Sequence, residues 1–434
     1  MTMIAPPSNA LRKTCRFGRL FLGVLALAAR LAAAPQFVSE TELVDRAIEL
    51  IDRRLALMPE VAAVKFRQQQ PIADPVREGV VLEQSVADAL AMNLEGEAAR
   101  AFFSVQIRLA RAVQEHWFER WRTRAEPPPA ARDLVTVLRP QLDTVGRELL
   151  PAVYLASSAL TEMPPATLRP RLSRLLRQPG TTQKLMAELT TALGALRLTA
   201  APTWATLQRV GVLRVGTTGD YAPFSDDRGD GLRGLDIELA QALAKVWGLR
   251  VVLVRTSWPT LMDDLAKRRF DLAASGISIT PERQRVADFS AAYLFDGKTP
   301  IARRTEAERF SSLEKIDQPG VRVIVNPGGT NERFARARIQ RATIILHPDN
   351  RTIFQEITAG RADVMITDGL EVRLQVRRHP ELAATMAEPF TRAGKAIMLP
   401  LGSDLTARVD AWLVPQIDRD QIAVRLEQAL VDVK

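Results

Sequence analysis

The stretch DLAASGISITPERQRVADFSAAYLFDGKTP, residues 271–300, holds the signals that decide the fold of the second half of the chain. It begins with a short apolar run bounded by Gly276, which is typical of a buried strand. Thr280 is a favoured helix N-cap, and Pro281 suits the first helical position. This order predicts a strand that leads into a helix N-terminus, where free N–H groups and the positive end of the helix dipole attract anions.

The same stretch supplies side chains for a carboxylate ligand. Arg283 has a planar, permanently charged guanidinium, and the hydroxyls of Ser275 and Ser278 precede it as further donors. We therefore predict an anion clamp. The alternative is an ordinary strand–turn–helix with a solvated arginine, and the motif alone does not separate the two.

The order of motifs around this stretch resembles the periplasmic amino-acid-binding proteins and, more closely, the cyclohexadienyl dehydratases, which turn prephenate or arogenate into phenylpyruvate or phenylalanine. The resemblance covers roughly residues 204–415. The matching segments are LRVGTTGDYAPF (213–224), TSWPTLM (256–262), SGISITPERQR (275–285), DGKTPI (296–301), IDQPGVRVIVNPGGTNERFARA (316–337), HPDNRTIFQEI (347–357) and ITDGLEVRLQ (366–375). The resemblance implies an α/β fold of two lobes that close on a ligand by hinge motion.

The resemblance assigns the dehydratase chemistry to Glu371 and Lys298. Prephenate loses its ring hydroxyl and ring carboxylate together, and hydroxide is a poor leaving group, so a proton must be delivered to that oxygen. A carboxylic acid can deliver it near neutral pH if burial raises its pKa. Glu371 would be this acid, and Lys298 would steady the departing group or a substrate carboxylate. The alternative for Glu371 is a solvated helix carboxylate.

Five further residues are implied to bind the dehydratase substrate. Arg283 and the helix end at Thr330 would hold its pyruvyl or alanyl tail. Asp368 occupies the position that often meets the ligand's amino group in amino-acid-binding relatives. Tyr221 and Trp258 would line the ring pocket, although aromatic residues there are as often core. His347–Asn350 is expected to cap a helix rather than to take part in the chemistry.

Composition excludes several classes of function. With 434 residues, 47% hydrophobic and 25% charged, the chain is long enough for two or three ordinary globular domains. Its net charge of +9 is spread along helices, which favours a solvated basic surface over a nucleic-acid interface. The single cysteine, Cys15, excludes an internal disulfide and a cysteine metal site, and three scattered histidines disfavour a histidine one. We expect no metal and no cofactor.

The N-terminus resembles a secretory signal peptide over residues 1–34. Basic residues precede the apolar run LFLGVLALAARLAAA (20–34), which ends in small residues and is too short and interrupted for a comfortable membrane span. Arg30 and Pro35 weaken this interpretation, and the alternative is an uncleaved anchor. We expect export to the periplasm, with no membrane contact after cleavage.

Residues 35–200 are predicted to form an all-α domain, because apolar residues recur at helical spacing and no strand-like alternation is present. Pro59 is expected to kink the first helix rather than end it. The boundary is TAAPTW (199–204), and residues 201–434 form the two-lobed α/β domain. Its lobes are predicted at about 205–302 plus 396–434, and 303–395.

Two segments of the helical half resemble the secreted, all-helical chorismate mutases, namely RRLALMPEVAAVKFRQQQPIADPVRE (53–78) and FFSVQIRLARAVQEHWF (102–118). In that family cationic side chains hold the two carboxylates of the substrate, and a Glu or Gln lies near its ether oxygen. The matching positions here are Arg54, Lys65, Arg77, Gln114 and Arg139. The family's frequent hydroxyl or longer polar side chain is replaced by Ala110, which leaves one hydrogen bond in doubt. The alternative is a set of surface cations.

Together the two resemblances imply an exported bifunctional enzyme in which the product of the helical domain is the substrate of the two-lobed domain. Its partners would be the small molecules chorismate and prephenate or arogenate, and a homodimer is left open. One alternative is a periplasmic amino-acid-binding protein for transport with a helical extension. A sensor built from both folds is a second alternative, but the sequence shows no output domain.

Overall fold

The computed structural model describes residues 35–124 and 127–432, so the predicted signal peptide and Cys15 lie outside the described residues. The first half is helical, as predicted. Its elements are α1 (Glu40–Leu55), α2 (Met58–Arg67), α3 (Pro75–Leu90), α4 (Gly96–Arg124), a π-helical turn (Leu134–Leu138), α5 (Arg139–Glu162), α6 (Pro165–Leu175) and α7 (Gln183–Ala195). Among the described residues, no helix is both long and apolar enough to cross a membrane.

Side-chain caps fix where the helices of this half begin. Ser39 and Glu42 form a capping box, in which the Ser39 hydroxyl accepts from the Glu42 N–H at 3.1 Å and the Glu42 carboxylate accepts from the Ser39 N–H at 2.9 Å. Asp74 caps α3 by accepting from the backbone N–H of Arg77 at 3.1 Å. These caps define the first residues of α1 and α3.

Pro59 divides the first helix rather than kinking a continuous one. Helix α1 ends at Leu55 and α2 begins at Met58, with Pro59 in the first turn of α2, where its missing N–H is tolerated. The two linking residues, Ala56 and Leu57, keep right-handed helical angles. Only the regular pattern of backbone hydrogen bonds is interrupted between α1 and α2, and the backbone angles stay helical.

The second half alternates strands and helices. Its strands are β1 (Val212–Thr217), β2 (Asp220–Tyr221), β3 (Ser225–Asp227), β4 (Leu232–Arg233), β5 (Arg250–Arg255), β6 (Leu272–Ala273), β7 (Ala287–Phe289), β8 (Leu294–Asp296), β9 (Lys298–Arg303), β10 (Arg322–Val325), β11 (Thr343–Leu346), β12 (Val364–Asp368), β13 (Leu382–Ala384), β14 (Ala393–Lys395) and β15 (Met398–Pro400). Its helices are α8 (Trp204–Val210), α9 (Leu235–Trp247), α10 (Leu261–Ala266), α11 (Pro281–Gln284), a 3₁₀ turn (Arg304–Phe310), α12 (Leu313–Ile316), α13 (Thr330–Arg338), α14 (Ile353–Thr358), α15 (Gly369–Arg378), α16 (Thr406–Asp418) and α17 (Gln421–Asp432).

Two mixed sheets define the two lobes. The first has the strand order β5-β1-β6-β15-β7 and the second β11-β10-β12-β9-β13. The strands β8 and β14 pair antiparallel with each other and connect the lobes. The predicted boundary at residue 302 is wrong, because β9 already pairs with β12 in the second sheet. The first lobe therefore ends before Lys298.

One hydrophobic core continues across the boundary between the halves. Buried residues of the helical half, including Tyr154, belong to the same cluster as Val212, Val252 and Phe270 of the first lobe. Among them lies a fully buried ion pair, in which Arg214 donates to Asp271 at 2.7 Å and to the Tyr154 hydroxyl at 3.2 Å. An ion pair excluded from water needs such added hydrogen bonds, and here the helical half supplies one of them.

The segment before α1 also contacts the first lobe. Phe37 forms an isolated parallel bridge with Leu253 in the edge strand β5, and Val38 N–H donates to the Leu253 carbonyl at 3.1 Å. The guanidinium of Arg255 lies 3.8 Å from the centre of the Phe37 ring, a cation–π contact. An added backbone segment covers a sheet edge that would otherwise be unpaired.

Two candidate active sites

The helical half encloses a cavity of about 780 Å³ that all five predicted side chains line. They come from five successive helices, one from each of α1 to α5, and are Arg54, Lys65, Arg77, Gln114 and Arg139. The eleven-residue spacing of Arg54 and Lys65 does bring both to one side, even though the helix is divided between them. Residues that are far apart in sequence thus surround one space.

The cations of this cavity are only partly satisfied by the protein. Arg54 donates to the Gln106 carbonyl at 3.4 Å and Lys65 to the Ile72 carbonyl at 2.6 Å, and burial lowers the pKa of both groups. Neither contact provides a negative charge. Within the described residues, the side chains of Arg77 and Arg139 have no hydrogen-bonding or ion-pair partner. Such a set suits an anion with more than one carboxylate.

Two buried glutamines also face this cavity. Gln114 donates to the Ala110 carbonyl at 3.0 Å, and its amide oxygen has no partner among the described residues. Neither polar atom of the Gln106 side chain has one. An unsatisfied buried polar group costs about 1–3 kcal/mol, so a ligand that bonded these amides would recover part of that cost.

The cavity contains acidic residues that the sequence analysis did not identify. Glu78 lies in its wall and accepts from the Arg111 guanidinium at 3.0 Å, and this hydrogen bond is the main cause that lowers the pKa of Glu78. The pairing neutralises both charges. The remaining unpaired groups are therefore mainly cationic, as a dianion requires.

The second site lies between the two lobes, which are closed on each other. The space left is about 20 Å³, so a ligand enters only when the lobes part. Its lining consists of Tyr221, Trp258, Gly276, Ser278, Arg283, Asn326, Gly329, Thr330, Asn331, Asn350, Asp368 and Lys395.

Glu371 is buried beside this cleft in the first turn of α15, with 2% of its surface exposed. That burial contradicts the alternative of a solvated helix carboxylate. Its two oxygens accept from Asn350 at 3.0 Å and from the Thr367 hydroxyl at 2.5 Å. Burial raises the pKa of Glu371 to about 8, and the negative charge of Asp368 adds to this rise. The carboxyl is thus protonated at neutral pH and able to give up a proton.

Asp368 is held between two buried lysines. Lys298 donates to one of its oxygens at 2.7 Å and Lys395 to the other at 2.5 Å, and the Tyr221 hydroxyl donates to it as well. Burial alone would raise the pKa of Asp368, but the two ammonium groups hold it well below its usual range. Both oxygens of Asp368 therefore already have protein partners in this closed arrangement.

The predicted anion clamp is only partly assembled as expected. Arg283 is buried and donates to the Ser278 carbonyl at 2.9 Å, while its Nε has no partner among the described residues. Burial lowers the pKa of Arg283 to about 10. Thr280 caps α11 as predicted, but this helix is a single turn, so its dipole contributes little. The predicted anion clamp therefore depends on the guanidinium of Arg283 and not on the helix dipole.

The two serines of the clamp have different positions. Ser278 lines the cleft, and its hydroxyl accepts from Lys395 at 3.0 Å. The expectation for Ser275 is wrong, because its hydroxyl points to a buried group with Thr218 at 2.8 Å and Ser225 at 2.6 Å. Gly276 follows with a φ of 62°, and this left-handed turn directs the two serines differently.

The remaining predicted residues, Thr330, Tyr221 and Trp258, line the cleft. The Thr330 hydroxyl, at the first residue of α13, accepts from Lys298 at 2.8 Å. Tyr221 and Trp258 meet edge to face with ring centres 5.6 Å apart, and Trp258 donates to Asp220 at 3.2 Å. They form one aromatic wall of the cleft.

The sequence analysis did not identify four polar residues that line the cleft, namely Asn326, Asn331, Asn350 and Lys395. None of Asn326, Asn331 and Lys395 was singled out from the sequence. Asn350 was interpreted as a helix cap, yet its amide donates to Glu371 and to the Asp220 carbonyl, both at 3.0 Å. The only local signal was that each is a polar residue at the end of an element, which is too common to identify a site.

The folds and sites define the class: a helical domain with a cation-lined cavity, joined to a two-lobed solute-binding fold that carries a buried acid. Residues 40–115 match the family model for chorismate mutase type II, and residues 213–414 match that for bacterial extracellular solute-binding proteins, family 3. A solved amino acid ABC transporter substrate-binding protein from Streptococcus pneumoniae, bound to L-arginine, is similar with a TM-score of 0.50 and 25% identity, covering 52% of this chain and 97% of that one.

Similarity to individual proteins shows to which family within this class the chain belongs. The chain is 57% identical over 205 residues to the cyclohexadienyl dehydratase of Pseudomonas aeruginosa. This match covers 47% of this chain and 76% of that protein. The L-cystine-binding protein TcyJ of Escherichia coli is 29% identical over 195 residues, covering 45% of this chain and 73% of that protein. The chain belongs to the cyclohexadienyl dehydratase family.

Proposed function

We propose that this protein is a bifunctional enzyme of phenylalanine biosynthesis, which rearranges chorismate to prephenate and then converts prephenate or arogenate to phenylpyruvate or phenylalanine. The observation that carries the proposal is the burial of Glu371, which raises its pKa to about 8, in a chain that also contains a cation-lined helical cavity. The two matched families supply consecutive reactions, since the product of one is the substrate of the other. No cofactor takes part in either step of this scheme.

The first reaction needs only binding and electrostatics. One C–O bond of the ether breaks while a C–C bond forms within a single molecule, so no nucleophile is required. Arg54, Lys65, Arg77 and Arg139 would hold the two carboxylates in the compact conformer. Gln114 would turn its amide from the Ala110 carbonyl to the ether oxygen and stabilise the charge that develops there.

The second reaction uses an acid. Glu371 would donate its proton to the ring hydroxyl, which leaves as water, while the ring carboxylate leaves as CO₂ and its bonding electrons complete the aromatic ring. Glu371 then recovers a proton from solvent. Lys298 and Lys395, bound to Asp368 in the closed cleft, would offer positive charge to the departing groups, and Arg283 would hold the remaining carboxylate.

The transport alternative fits the cleft less well. A binding protein for amino acids needs a free carboxylate for the ligand's ammonium group, whereas Asp368 is occupied by two lysines. Such a protein also needs no buried acid. Finding that purified protein binds amino acids tightly and leaves prephenate unchanged would favour transport.

A coupled assay tests the proposal directly. Purified protein incubated with chorismate alone should form phenylpyruvate, detected by its ultraviolet absorbance, with prephenate as an intermediate. Comparing initial rates on prephenate and arogenate then establishes the preferred substrate. Failure to consume chorismate would overturn the mutase assignment, and failure to turn over either prephenate or arogenate would overturn the dehydratase assignment.

The location is proposed on two grounds. The matched solute-binding family is described as extracellular, and the segment before residue 35 resembles a signal peptide. We propose that the mature enzyme works in the periplasm. Its oligomeric state, including a homodimer, is to be measured by light scattering.

Substitution of Arg283 tests whether its guanidinium binds a carboxylate of the dehydratase substrate. We expect Arg283→Ala to raise KM for the dehydratase substrate by about 10- to 100-fold, because a lost charge-assisted contact costs roughly 1.5–3 kcal/mol. Arg283→Lys should restore only part of this loss, since lysine cannot bind a carboxylate through two parallel hydrogen bonds. The exposed neighbour Arg285 provides the control substitution Arg285→Ala. An unchanged KM in both Arg283 variants would show that this residue is structural.

The pKa of Glu371 predicts how dehydratase activity depends on pH. The acid must be protonated to act, so kcat/KM should be constant from pH 7 to near its pKa of about 8 and fall about tenfold per pH unit above it. Mutase activity in the same preparation should not show a loss that follows the pKa of Glu371, because that residue is not in the helical cavity. Dehydratase kcat/KM that increases above pH 8 would mean that Glu371 acts as a carboxylate.

A further inference from the structure

The wall of the mutase cavity contains a residue from the other half of the chain. Seven cationic and four acidic side chains line it. Among the described lining residues, Arg209 of helix α8 is the one that lies beyond residue 151. It belongs to the first helix of the dehydratase half, which no matched mutase segment includes.

The fold directs Arg209 toward the helical half. Thr206 and Arg209 are three residues apart, so they lie on one face of α8. The Thr206 hydroxyl accepts from the side-chain amide of Asn93, in the helical half, at 3.3 Å, and the same amide donates to the Ala201 carbonyl at 3.0 Å. Val210 belongs to the core that both halves share. These contacts fix the orientation of α8 on the helical half.

The charge of Arg209 is available to a ligand. Its side chain is exposed where the cavity meets solvent, and within the described part of the chain it has no hydrogen-bonding or ion-pair partner. The deeper cations Arg54 and Lys65 are half-buried. An unpaired cation at an entrance attracts anions from solution, and salt screens this attraction because the group is exposed.

We propose that Arg209 is a substrate-binding residue of the mutase site, which attracts the dianionic substrate into the cavity. The second half of the chain thereby completes the site of the first. This inference rests on the proposed mutase function and assigns to Arg209 a role in binding rather than in the bond-breaking step.

Charge reversal in the full-length protein tests it. We expect Arg209→Glu to lower mutase kcat/KM about tenfold at low ionic strength, mainly through KM, with Arg209→Ala intermediate and Arg209→Lys near the parent. The deficit should shrink at about 0.5 M salt, where the Debye length is only a few ångströms. Dehydratase kinetics on prephenate should be unchanged. Arg338→Glu, at an exposed site in the second lobe, controls for net charge.

The outcomes separate the inference from the proposed function. A parent protein without mutase activity would overturn the proposed function. An active parent with Arg209→Glu within twofold of it, or no worse than Arg338→Glu, would overturn the role of Arg209. A deficit confined to kcat and insensitive to salt would do the same, because it would indicate a packing defect.

Discussion

Glu371→Gln should lower dehydratase activity by about two to four decades, the usual loss when general acid catalysis is removed. Glutamine keeps the size of the side chain. Its amide oxygen can still accept from Asn350, and its amide nitrogen can donate to the Thr367 hydroxyl, the two groups that hold the Glu371 carboxyl at 3.0 and 2.5 Å. What it lacks is the proton that the ring hydroxyl needs. Activity is measured as phenylpyruvate formed from prephenate at neutral pH, since prephenate aromatises spontaneously in acid.

The mutase activity and the KM of the Glu371→Gln variant serve as controls for its folding and substrate binding. Mutase activity should persist, so prephenate should accumulate from chorismate, and KM for prephenate should change little because Arg283 and Thr330 are intact. Glu388→Gln, at an exposed position in the second lobe, is the matched control. If Glu371→Gln turns over prephenate near the parental rate, the acid lies elsewhere, and Lys298 is the next candidate because burial lowers the pKa of its ammonium group.

The sequence was sufficient for features that local chemistry determines. Thr280 is a helix cap in the structure as in the prediction, and the alternation of strands and helices gives the α/β class. Each depends on backbone hydrogen bonds within a few residues, which the side-chain types themselves specify. The Pro59 break was harder, because a proline in a first turn and a proline inside a helix have the same sequence signal.

Contacts between residues that are far apart in the sequence could not be predicted. Asp368 lies opposite Lys298 because β12 and β9 run antiparallel in the second sheet, and that register follows from the whole topology. Lys395 reaches the same carboxylate from β14, one of the two strands that connect the lobes. Ser275 was misplaced for a similar reason, since its partners Thr218 and Ser225 come from separate strands and loops. No local pattern encodes which buried polar groups will meet.

The cation set of the helical cavity gives the second large expected effect. We expect Arg139→Ala to lower mutase activity by about two to three decades, because a contact realised in the transition state contributes roughly 2–4 kcal/mol. Arg54→Ala should have a similar effect. Arg139 is the cleaner test, since its side chain has no partner in the described residues and its removal breaks no visible interaction.

The measurement is the initial rate of chorismate loss, with prephenate turnover in the same sample as the folding control. Both variants should keep the parental dehydratase rate, since none of the described residues that line the dehydratase cleft comes from the helical half. Arg169→Ala, at an exposed position on α6, removes one charge outside the cavity. If both Arg139→Ala and Arg54→Ala retained full mutase activity, these cations would be surface charges on amphipathic helices, and the cavity would not be the mutase site. Loss of mutase activity alone, with the second reaction intact, is what a site held by these two charges requires.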